Sequence, residues 1–301
     1  MNYLVKRLLF RLKRDGFPTV IKLFFQYIFF KNKKIDLDKT NLSKDLSLND
    51  LFLTFGTDKG KYDGKKTFYK LHKDPQYRMK FSSYREWVLR KNIHEYDYEM
   101  GQNFSSVYET YFEKIKKKKL KILEIGVAGG HSHATWYCYF PNSEIHGIDI
   151  RPKKHLLYEG SRLKYFQIDC INQKKIEKYK KLGLNFDIII DDSLHNYTGF
   201  ITNLINFFPL LKKDGYYFLE DFIPSDNRLK NQRLFNEKFG KKLQGYDLTM
   251  DEIFNFLKDK TFFDSRFFSK ESQEYFHKNI SELKTFYLDY PESSIALLRK
   301  F

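Results

Sequence analysis

The sequence predicts an α/β fold built on a mostly parallel sheet. From Leu120 onward, short apolar runs alternate regularly with amphipathic stretches at helical spacing. Runs such as Ile188–Ile190 are almost continuously apolar, which is typical of strands that helices cover on both faces. The rhythm breaks at residues 284–301, where two apolar stretches flank a short turn around Pro291–Ser293 and predict an antiparallel hairpin.

The elements before the hairpin follow in a regular order. The predicted strands are Lys121–Ile125, Glu144–Ile150, Leu163–Ile168, Phe186–Asp191 and Gly215–Asp221. The predicted helices lie near His133–Tyr139, Gln173–Leu182 and Tyr197–Leu211. Lys212, Lys213 and Gly215 after the last helix are typical helix-stop residues.

Composition divides the chain into three parts. Residues 1–48 combine a basic amphipathic segment with a polar linker, and residues 49–112 precede the regular pattern. Residues 113–301 carry the α/β pattern, with a mixed polar and aromatic insertion at about residues 223–283 that we expect to form capping helices.

The chain of 301 residues is strongly basic, with a formal net charge of +16. A surface of this sign attracts nucleic acid, acidic lipid headgroups or phosphorylated substrates. The lysines are spread along the whole chain, however, which is also what a general compositional bias would give. Cys138 and Cys170 are the only cysteines and have no metal-ligand spacing, which favours a reducing cytoplasm.

Residues 1–34 alternate basic side chains with Leu, Phe and Ile at roughly helical spacing. Lys22 and Gln26 interrupt the apolar runs, so none is long enough to span a bilayer, and no small-residue cleavage site follows. The segment therefore has two interpretations. It lies on the inner face of the membrane as an amphipathic helix, or it packs on the fold as the first helix.

A glycine-rich stretch, LEIGVAGG, follows the first predicted strand and precedes a helix. Gly126 and Gly129 allow the backbone to approach a ligand closely, although a purely structural tight turn would use the same residues. Asp149 closes the second strand, where an acid can hold both hydroxyls of a ribose. Asp169 follows the third strand, where it could accept a hydrogen bond from an adenine amino group.

Glu124, just before the glycines, would repel the pyrophosphate of a dinucleotide and instead suits a cofactor that bears an amino group. With this acid and the terminal hairpin, residues Leu120–Phe301 resemble the class I S-adenosylmethionine-dependent methyltransferases. The resemblance implies a Rossmann-like seven-stranded sheet and S-adenosylmethionine bound by Glu124, Gly126, Gly129, Asp149 and Asp169. A nicotinamide-dependent oxidoreductase is the alternative, but no Tyr-x-x-x-Lys pair follows the fourth strand.

Acidic residues follow two of the strands. Asp192 comes just after the fourth strand, and Glu220 and Asp221 end the fifth. If these strands are neighbours, three carboxylates converge and favour a hard divalent cation such as Mg²⁺, although Asp192 is also well placed to cap a helix. His195 reaches the same point as a candidate general base, or it is a structural histidine. Asp191 is the alternative to Asp192 as the inner ligand.

This combination resembles a narrower family, the metal-dependent sugar O-methyltransferases of macrolide tailoring and of surface-polysaccharide clusters. Their Asp-Asp-Gly-Ser-His pattern corresponds to Asp191–His195, where Ser193 and Leu194 replace Gly and Ser. The resemblance implies that Asp192, Glu220 and Asp221 bind Mg²⁺ and that His195 is the general base. The implied reaction is methylation of a sugar hydroxyl in capsule or lipopolysaccharide biosynthesis, or alternatively of a small natural product.

Two upstream stretches extend this resemblance. FGTDKG (residues 55–60) matches a Gly-Thr-Asp-Lys motif and adds Thr57 and Lys59 to the predicted cofactor-binding residues. QNFSSVYE (residues 102–109) keeps Tyr108 and Glu109 of a second motif, while His94 is a weak candidate. We expect this region to form a lid that shapes the pocket for a sugar or a nucleotide- or lipid-linked glycan.

Only the net charge favours a nucleic-acid substrate. Base-modifying enzymes of this fold usually carry an Asn/Asp-Pro-Pro-aromatic motif or a nucleophilic cysteine after the fourth strand, and residues 191–194 contain neither. We therefore expect no nucleic-acid partner. The sequence is compatible with a homo-oligomer and does not define its size.

Overall fold

The structure is a computed structural model that describes residues 34–40, 42, 46–61, 101–195, 197–222, 248–265, 267–288 and 293–301. The predictions for residues 1–33, for His94 and for the insertion over residues 223–247 lie outside the described residues. Among the described residues, no helix is long and apolar enough to cross a membrane.

The described residues form nine strands and seven α-helices. The strands are β1 (Ile35–Asp36), β2 (Lys121–Ile125), β3 (Glu144–Asp149), β4 (Tyr158–Glu159), β5 (Leu163–Gln167), β6 (Phe186–Asp191), β7 (Leu211–Glu220), β8 (Ile280–Tyr287) and β9 (Ser294–Lys300). The helices are α1 (Leu48–Phe55), α2 (Phe104–Phe112), α3 (His131–Tyr139), α4 (Gln173–Lys180), α5 (Tyr197–Phe207), α6 (Met250–Asp259) and α7 (Lys270–Asn279).

Seven of the strands form one sheet in the order β5-β3-β2-β6-β7-β9-β8. The first five strands in this order are parallel, and β9 pairs antiparallel with both β7 and β8. The order reverses direction between β2 and β6, which is where open α/β sheets bind ligands. The predicted fold class, a mostly parallel seven-stranded sheet with an antiparallel C-terminal hairpin, is confirmed.

Several boundaries differ from the prediction, and the largest differences lie after α5 and at the start of the hairpin. The helix predicted to reach Leu211 ends at Phe207 and is followed by a 3₁₀ turn that contains Pro209, because proline cannot donate the next helical hydrogen bond. Lys212 and Lys213 therefore lie in β7, which begins where Leu211 pairs with Phe186. The hairpin is also longer than predicted, since β8 begins at Ile280.

Helices cover both faces of the sheet. One apolar core lies between the sheet and α1, α2 and α3, and includes Phe52, Trp136 and Phe218. The other lies under α4 to α7 and includes Phe200 and Phe254. The described parts of residues 49–112, which we expected to form a lid, thus pack as a layer of the core. The lid itself stays a prediction for residues 62–100, outside the described part of the chain.

The short pair of strands β1 and β4 attaches the chain after residue 33 to the edge of this core. Ile35 N donates to Leu157 O at 2.9 Å, and Asp38 accepts hydrogen bonds from Tyr137 Oη and, at 2.8 Å, from Ser161 N. The residues that follow the basic N-terminal segment, Ile35 to Asp38, are therefore fixed beside residues 157–161.

Candidate active site

The site lies where β2, β6 and β7 end. Parallel neighbours end at the same edge of a sheet, so Gly126 after β2, Asp192 after β6 and Asp221 after β7 come together there. Asp192 N donates to Ile125 O at 2.9 Å, and this bond continues the ladder between β2 and β6 by one residue. The register of the sheet therefore fixes the first residue of the site.

Asp192, His195 and Asp221 form a compact cluster, in which one ligand atom from each residue lies within 4.8 Å of the others. His195 Nε2 is 3.3 Å from Asp192 Oδ1, and His195 Nδ1 is 3.8 Å from Asp221 Oδ2. The imidazole is 45% exposed, so an acceptor could reach it from solvent. The structure thus brings together three of the four residues predicted for catalysis and metal binding.

Gln102 holds the Asp221 carboxylate through both of its oxygens. Gln102 Nε2 lies 3.1 and 3.0 Å from its two oxygens. Burial raises the pKa of Asp221 to about 7, and the nearby His195 acts in the opposite direction. Because burial disfavours the carboxylate, a cation in the cluster would help to keep Asp221 ionised at neutral pH.

Glu220 was predicted to be a metal ligand, but the structure places it outside this cluster. Its carboxylate is fully buried and accepts hydrogen bonds from Lys59 Nζ and Tyr108 Oη. Glu220 is the last residue of β7, whereas Asp221 lies just past the strand with a φ of +52°, and this turn of the backbone separates the two carboxylates. In this geometry Glu220 is paired with the ammonium of Lys59. Metal binding by Glu220 stays a prediction.

Lys59 was predicted to bind the cofactor, and the structure instead buries it against two acids. Its ammonium lies 2.6 Å from Asp192 Oδ2 and also bonds Glu220. Burial disfavours the charged lysine, but the two carboxylates outweigh this cost and raise the pKa of Lys59 well above its ordinary value. Thr57 is also buried, and its hydroxyl accepts the Lys59 N–H at 3.1 Å.

The donor set fits a magnesium ion. Carboxylate oxygens are the ligands that hard divalent cations prefer. With Asp192, Glu220 and Asp221 ionised, Lys59 offsets one of three negative charges and leaves two, the charge that a divalent cation would balance. Asp192 and Asp221 each offer a carboxylate oxygen within 4.8 Å of the other and of a ring nitrogen of His195.

Gly126 places the glycine loop directly against the acidic turn. Its φ is +94°, and a Cβ atom there would lie 1.9 Å from the carbonyl oxygen of Asp192. Ala128 N donates to Asp149 Oδ2 at 2.7 Å, which ties the loop to the end of β3. Gly129 has no such steric requirement, and Gly130 rather than Gly129 takes the left-handed conformation at the start of α3.

Asp149 and Asp169 lie at the ends of neighbouring strands on the same edge. Both are partly exposed, and each carboxylate accepts backbone N–H groups in its own turn, from Arg151 at 2.8 Å and from Ile171 at 3.2 Å respectively. Their placement is compatible with the ribose and adenine contacts predicted for them, and those contacts stay predictions.

Glu124 has a different environment from the one predicted. It is fully buried, and its two carboxylate oxygens contact Trp136 Nε1 and His133 Nδ1, both at 3.1 Å. An acid with both oxygens engaged inside the core does not line a cleft for an amino group. In this structure Glu124 therefore links α3 to β2. The sequence shows the same acid before the glycines whether it binds a cofactor or this helix, so the pattern alone does not distinguish the two roles.

Asp191 is a residue whose role the sequence left open. It is fully buried, and it accepts hydrogen bonds from Ser193 Oγ at 2.7 Å, Asn203 Nδ2 at 3.0 Å and Tyr217 Oη at 2.9 Å. It therefore lies on the opposite side of the sheet from Lys59 and holds the turn that carries Asp192. Ser193, which replaces glycine of the related pattern, has a partner here.

We expect Asp191→Ala to lower the free energy of unfolding by about 2 kcal/mol, because three donors, two of them fully buried, lose a common acceptor. Urea unfolding measures this change. Exposed Asp259 at the end of α6 provides the control, since Asp259→Ala should leave the midpoint unchanged. Equal stability of the two variants would contradict a structural role for Asp191.

Comparison with known proteins identifies the fold. No protein-family model matches the chain. A solved structure of the MycE methyltransferase from the mycinamycin biosynthetic pathway, in complex with Mg, SAH and mycinamycin VI, superposes with a TM-score of 0.54. The match covers 86% of this chain and 55% of that one at 20% identity. This is the methyltransferase fold.

Two relatives show where the sequence similarity lies. Mycinamicin VI 2''-O-methyltransferase of Micromonospora griseorubida is 30% identical over 125 residues, 39% of this chain and 31% of the relative. A tetracenomycin rhamnosyl 3'-O-methyltransferase of Streptomyces olivaceus is 29% identical over the same length, 39% of this chain and 32% of the relative. The matches thus span about a third of each relative, and the predicted resemblance to sugar O-methyltransferases is confirmed.

Proposed function

We propose that the protein transfers a methyl group from S-adenosylmethionine to a sugar hydroxyl in a reaction that depends on Mg²⁺. The observation that carries this proposal is the contact between the glycine loop and the acidic turn, where Gly126 lies against the Asp192 carbonyl. A base and two carboxylates are therefore adjacent to the loop at which this fold would hold a cofactor. The relatives that act on sugars of glycosylated natural products support the choice of acceptor.

In this proposal the residues at the ends of β2, β3 and β5 hold the cofactor, through the loop at Gly126 and the carboxylates of Asp149 and Asp169. S-adenosylmethionine supplies an electrophilic methyl group. His195 accepts the proton of the acceptor hydroxyl on a ring nitrogen, and Asp192 and Asp221 orient the imidazole from either side. Mg²⁺ held by Asp192 and Asp221, with Glu220 as the further predicted ligand, would lower the pKa of the hydroxyl and fix its orientation.

For the acceptor we propose a sugar carried by a nucleotide or a lipid, in capsule or lipopolysaccharide biosynthesis. Its phosphate would suit a chain with a formal net charge of +16. Lys34, the last residue of the basic N-terminal segment, donates to the Lys153 carbonyl beside exposed Lys154 and His155, so a cytoplasmic enzyme could meet an inner membrane surface through this side. A glycosylated small natural product, as in the relatives, is the second candidate.

Calorimetric titration of S-adenosylmethionine tests the proposal directly. We expect binding by the wild-type protein in Mg²⁺ and in EDTA, and heat on adding Mg²⁺ to the cofactor complex. Asp192→Ala should keep cofactor binding and lose the Mg²⁺ heat, because it removes one of the two carboxylates of the cluster.

Glu177→Ala is the matched control, since Glu177 is an exposed acid on α4 whose partner is Lys180. It should behave as the wild type does in both titrations. Absence of cofactor binding by the wild type would contradict the methyltransferase proposal. Mg²⁺ heat that persists in Asp192→Ala would contradict the assignment of the metal site.

A further inference from the structure

Lys59 is a buried cation beside the proposed metal site. Its side chain is 3% exposed, and its ammonium lies 2.6 Å from Asp192 Oδ2 and donates to Glu220. Burying an ammonium is costly unless carboxylates pair it. The methyl transfer proposed above gives this residue no task, so its position calls for a separate explanation.

The backbone holds Lys59 in place from both sides. Its N–H donates to Thr57 Oγ1 at 3.1 Å, and its carbonyl accepts from Ser105 N at 3.2 Å. The preceding residue, Asp58, accepts from Gln102 N at 2.8 Å. The ammonium also lies 5.9 Å from the centre of the Phe104 ring. Because these contacts fix the segment against the start of α2, the flexible lysine side chain is held with its ammonium between Asp192 and Glu220.

Lys59 bonds one carboxylate oxygen of each of two acids, and the second oxygen of each acid contacts another residue. Asp192 Oδ2 accepts from Lys59, while Asp192 Oδ1 is 3.3 Å from His195. One oxygen of Glu220 accepts from Lys59 and the other accepts from Tyr108. A single ammonium therefore holds two of the three carboxylates predicted as metal ligands.

We propose that Lys59 is a positioning residue that takes the place of a divalent cation between Asp192 and Glu220. This inference rests on the proposed function, because it assumes that these acids and Asp221 surround a metal. Lys59 keeps the two carboxylates together when no metal is bound, and its fixed charge opposes the binding of a second cation nearby. The site is thus assembled in advance, at the expense of metal affinity.

Lys59→Met tests this inference, because methionine fills similar space without a charge. In EDTA the variant should unfold at a lower temperature than the wild type, since buried Glu220 and partly buried Asp192 lose their common partner. Added Mn²⁺ should raise the unfolding temperature of the variant more than that of the wild type. Mn²⁺ titration followed by electron paramagnetic resonance should give a dissociation constant about tenfold lower in the variant, because a repulsive charge is gone.

Lys61→Met is the control, because Lys61 is an exposed lysine two residues along the same segment and should change neither quantity. Equal or weaker Mn²⁺ binding by folded Lys59→Met would overturn the inference. If Lys59→Met does not fold in EDTA, Lys59→Gln, which keeps a neutral donor, should show the same tighter binding, and its failure to do so would overturn the inference equally.

Failure of the proposed function gives a different result. In that case the wild type itself would bind no Mn²⁺, and the inference would fall with the metal site. If the wild type binds Mn²⁺ and methylates a sugar acceptor while Lys59→Met binds Mn²⁺ no more tightly, only the inference about Lys59 is contradicted.

Discussion

Replacing His195 with asparagine should lower kcat for methyl transfer by about 10²- to 10⁴-fold, the usual contribution of a general base. Asparagine is the substitution of choice because His195 has a φ of +39°, a conformation that asparagine tolerates better than alanine. The backbone of the turn and the neighbouring Asp192 should therefore stay in place. Steady-state kinetics with a sugar acceptor, once one has been identified, measure the loss.

Binding measurements separate a base from a metal ligand at this position. If His195 acts as the base, His195→Asn should keep its affinity for S-adenosylmethionine and bind Mn²⁺ about as tightly as the wild type. His155→Asn, in the exposed turn after β3, is the control and should retain full activity. A loss of kcat below about tenfold would contradict the role of general base. Strongly weakened Mn²⁺ binding would make His195 a ligand instead.

Replacing Gly126 with alanine should destabilise the protein by about 4 kcal/mol and abolish cofactor binding, an effect at the upper end for single substitutions. The added Cβ would lie 1.9 Å from the Asp192 carbonyl oxygen, and the φ of +94° is strained for any side chain. Neither backbone can move without disturbing the ladder between β2 and β6. Urea unfolding and calorimetry with S-adenosylmethionine measure the two effects.

Gly183 supplies a control for backbone strain alone. It has a φ of +64° in the turn before β6, and nothing lies within 4 Å of a Cβ built there. Gly183→Ala should therefore cost only about 1 kcal/mol, with cofactor binding unchanged. If the two variants were equally stable, the close approach of Gly126 to the acidic turn would have no energetic importance.

The strands and helices after Leu120 were predictable because the apolar pattern of each segment matches the burial of its residues in the fold. β2 and β6 begin and end at the predicted residues, since apolar runs such as Ile188–Ile190 have no other stable environment than a covered strand. The boundary after α5 was missed because the lysines at 212 and 213 suggested a helix end, while Pro209 had already ended it. Local signals compete at such points, and the pairing of Leu211 with Phe186 decides between them.

The residues of the site that directly follow a strand were predictable from the sequence. Asp192, His195 and Asp221 follow neighbouring strands, and the parallel order brings them together as expected. Adjacent acids were harder to assign, because the pleat sends them to opposite sides. Asp191 lies in register with Leu219 on the side of Tyr217, while Glu220 faces Tyr108 on the other.

The sequence by itself determined the sheet, the glycine turn and the set of acids and histidine at the strand ends, because each depends on contacts between near neighbours or on one repeated period. Only the tertiary structure decided which of these groups remain open to a ligand. Lys59 comes from a segment more than a hundred residues before the acids it pairs with, and Glu124 is engaged by a helix packed over its strand. The partners of Lys59 are set by the folding of distant segments into one core, and those of Glu124 by how the next helix packs over its strand; a local pattern records neither.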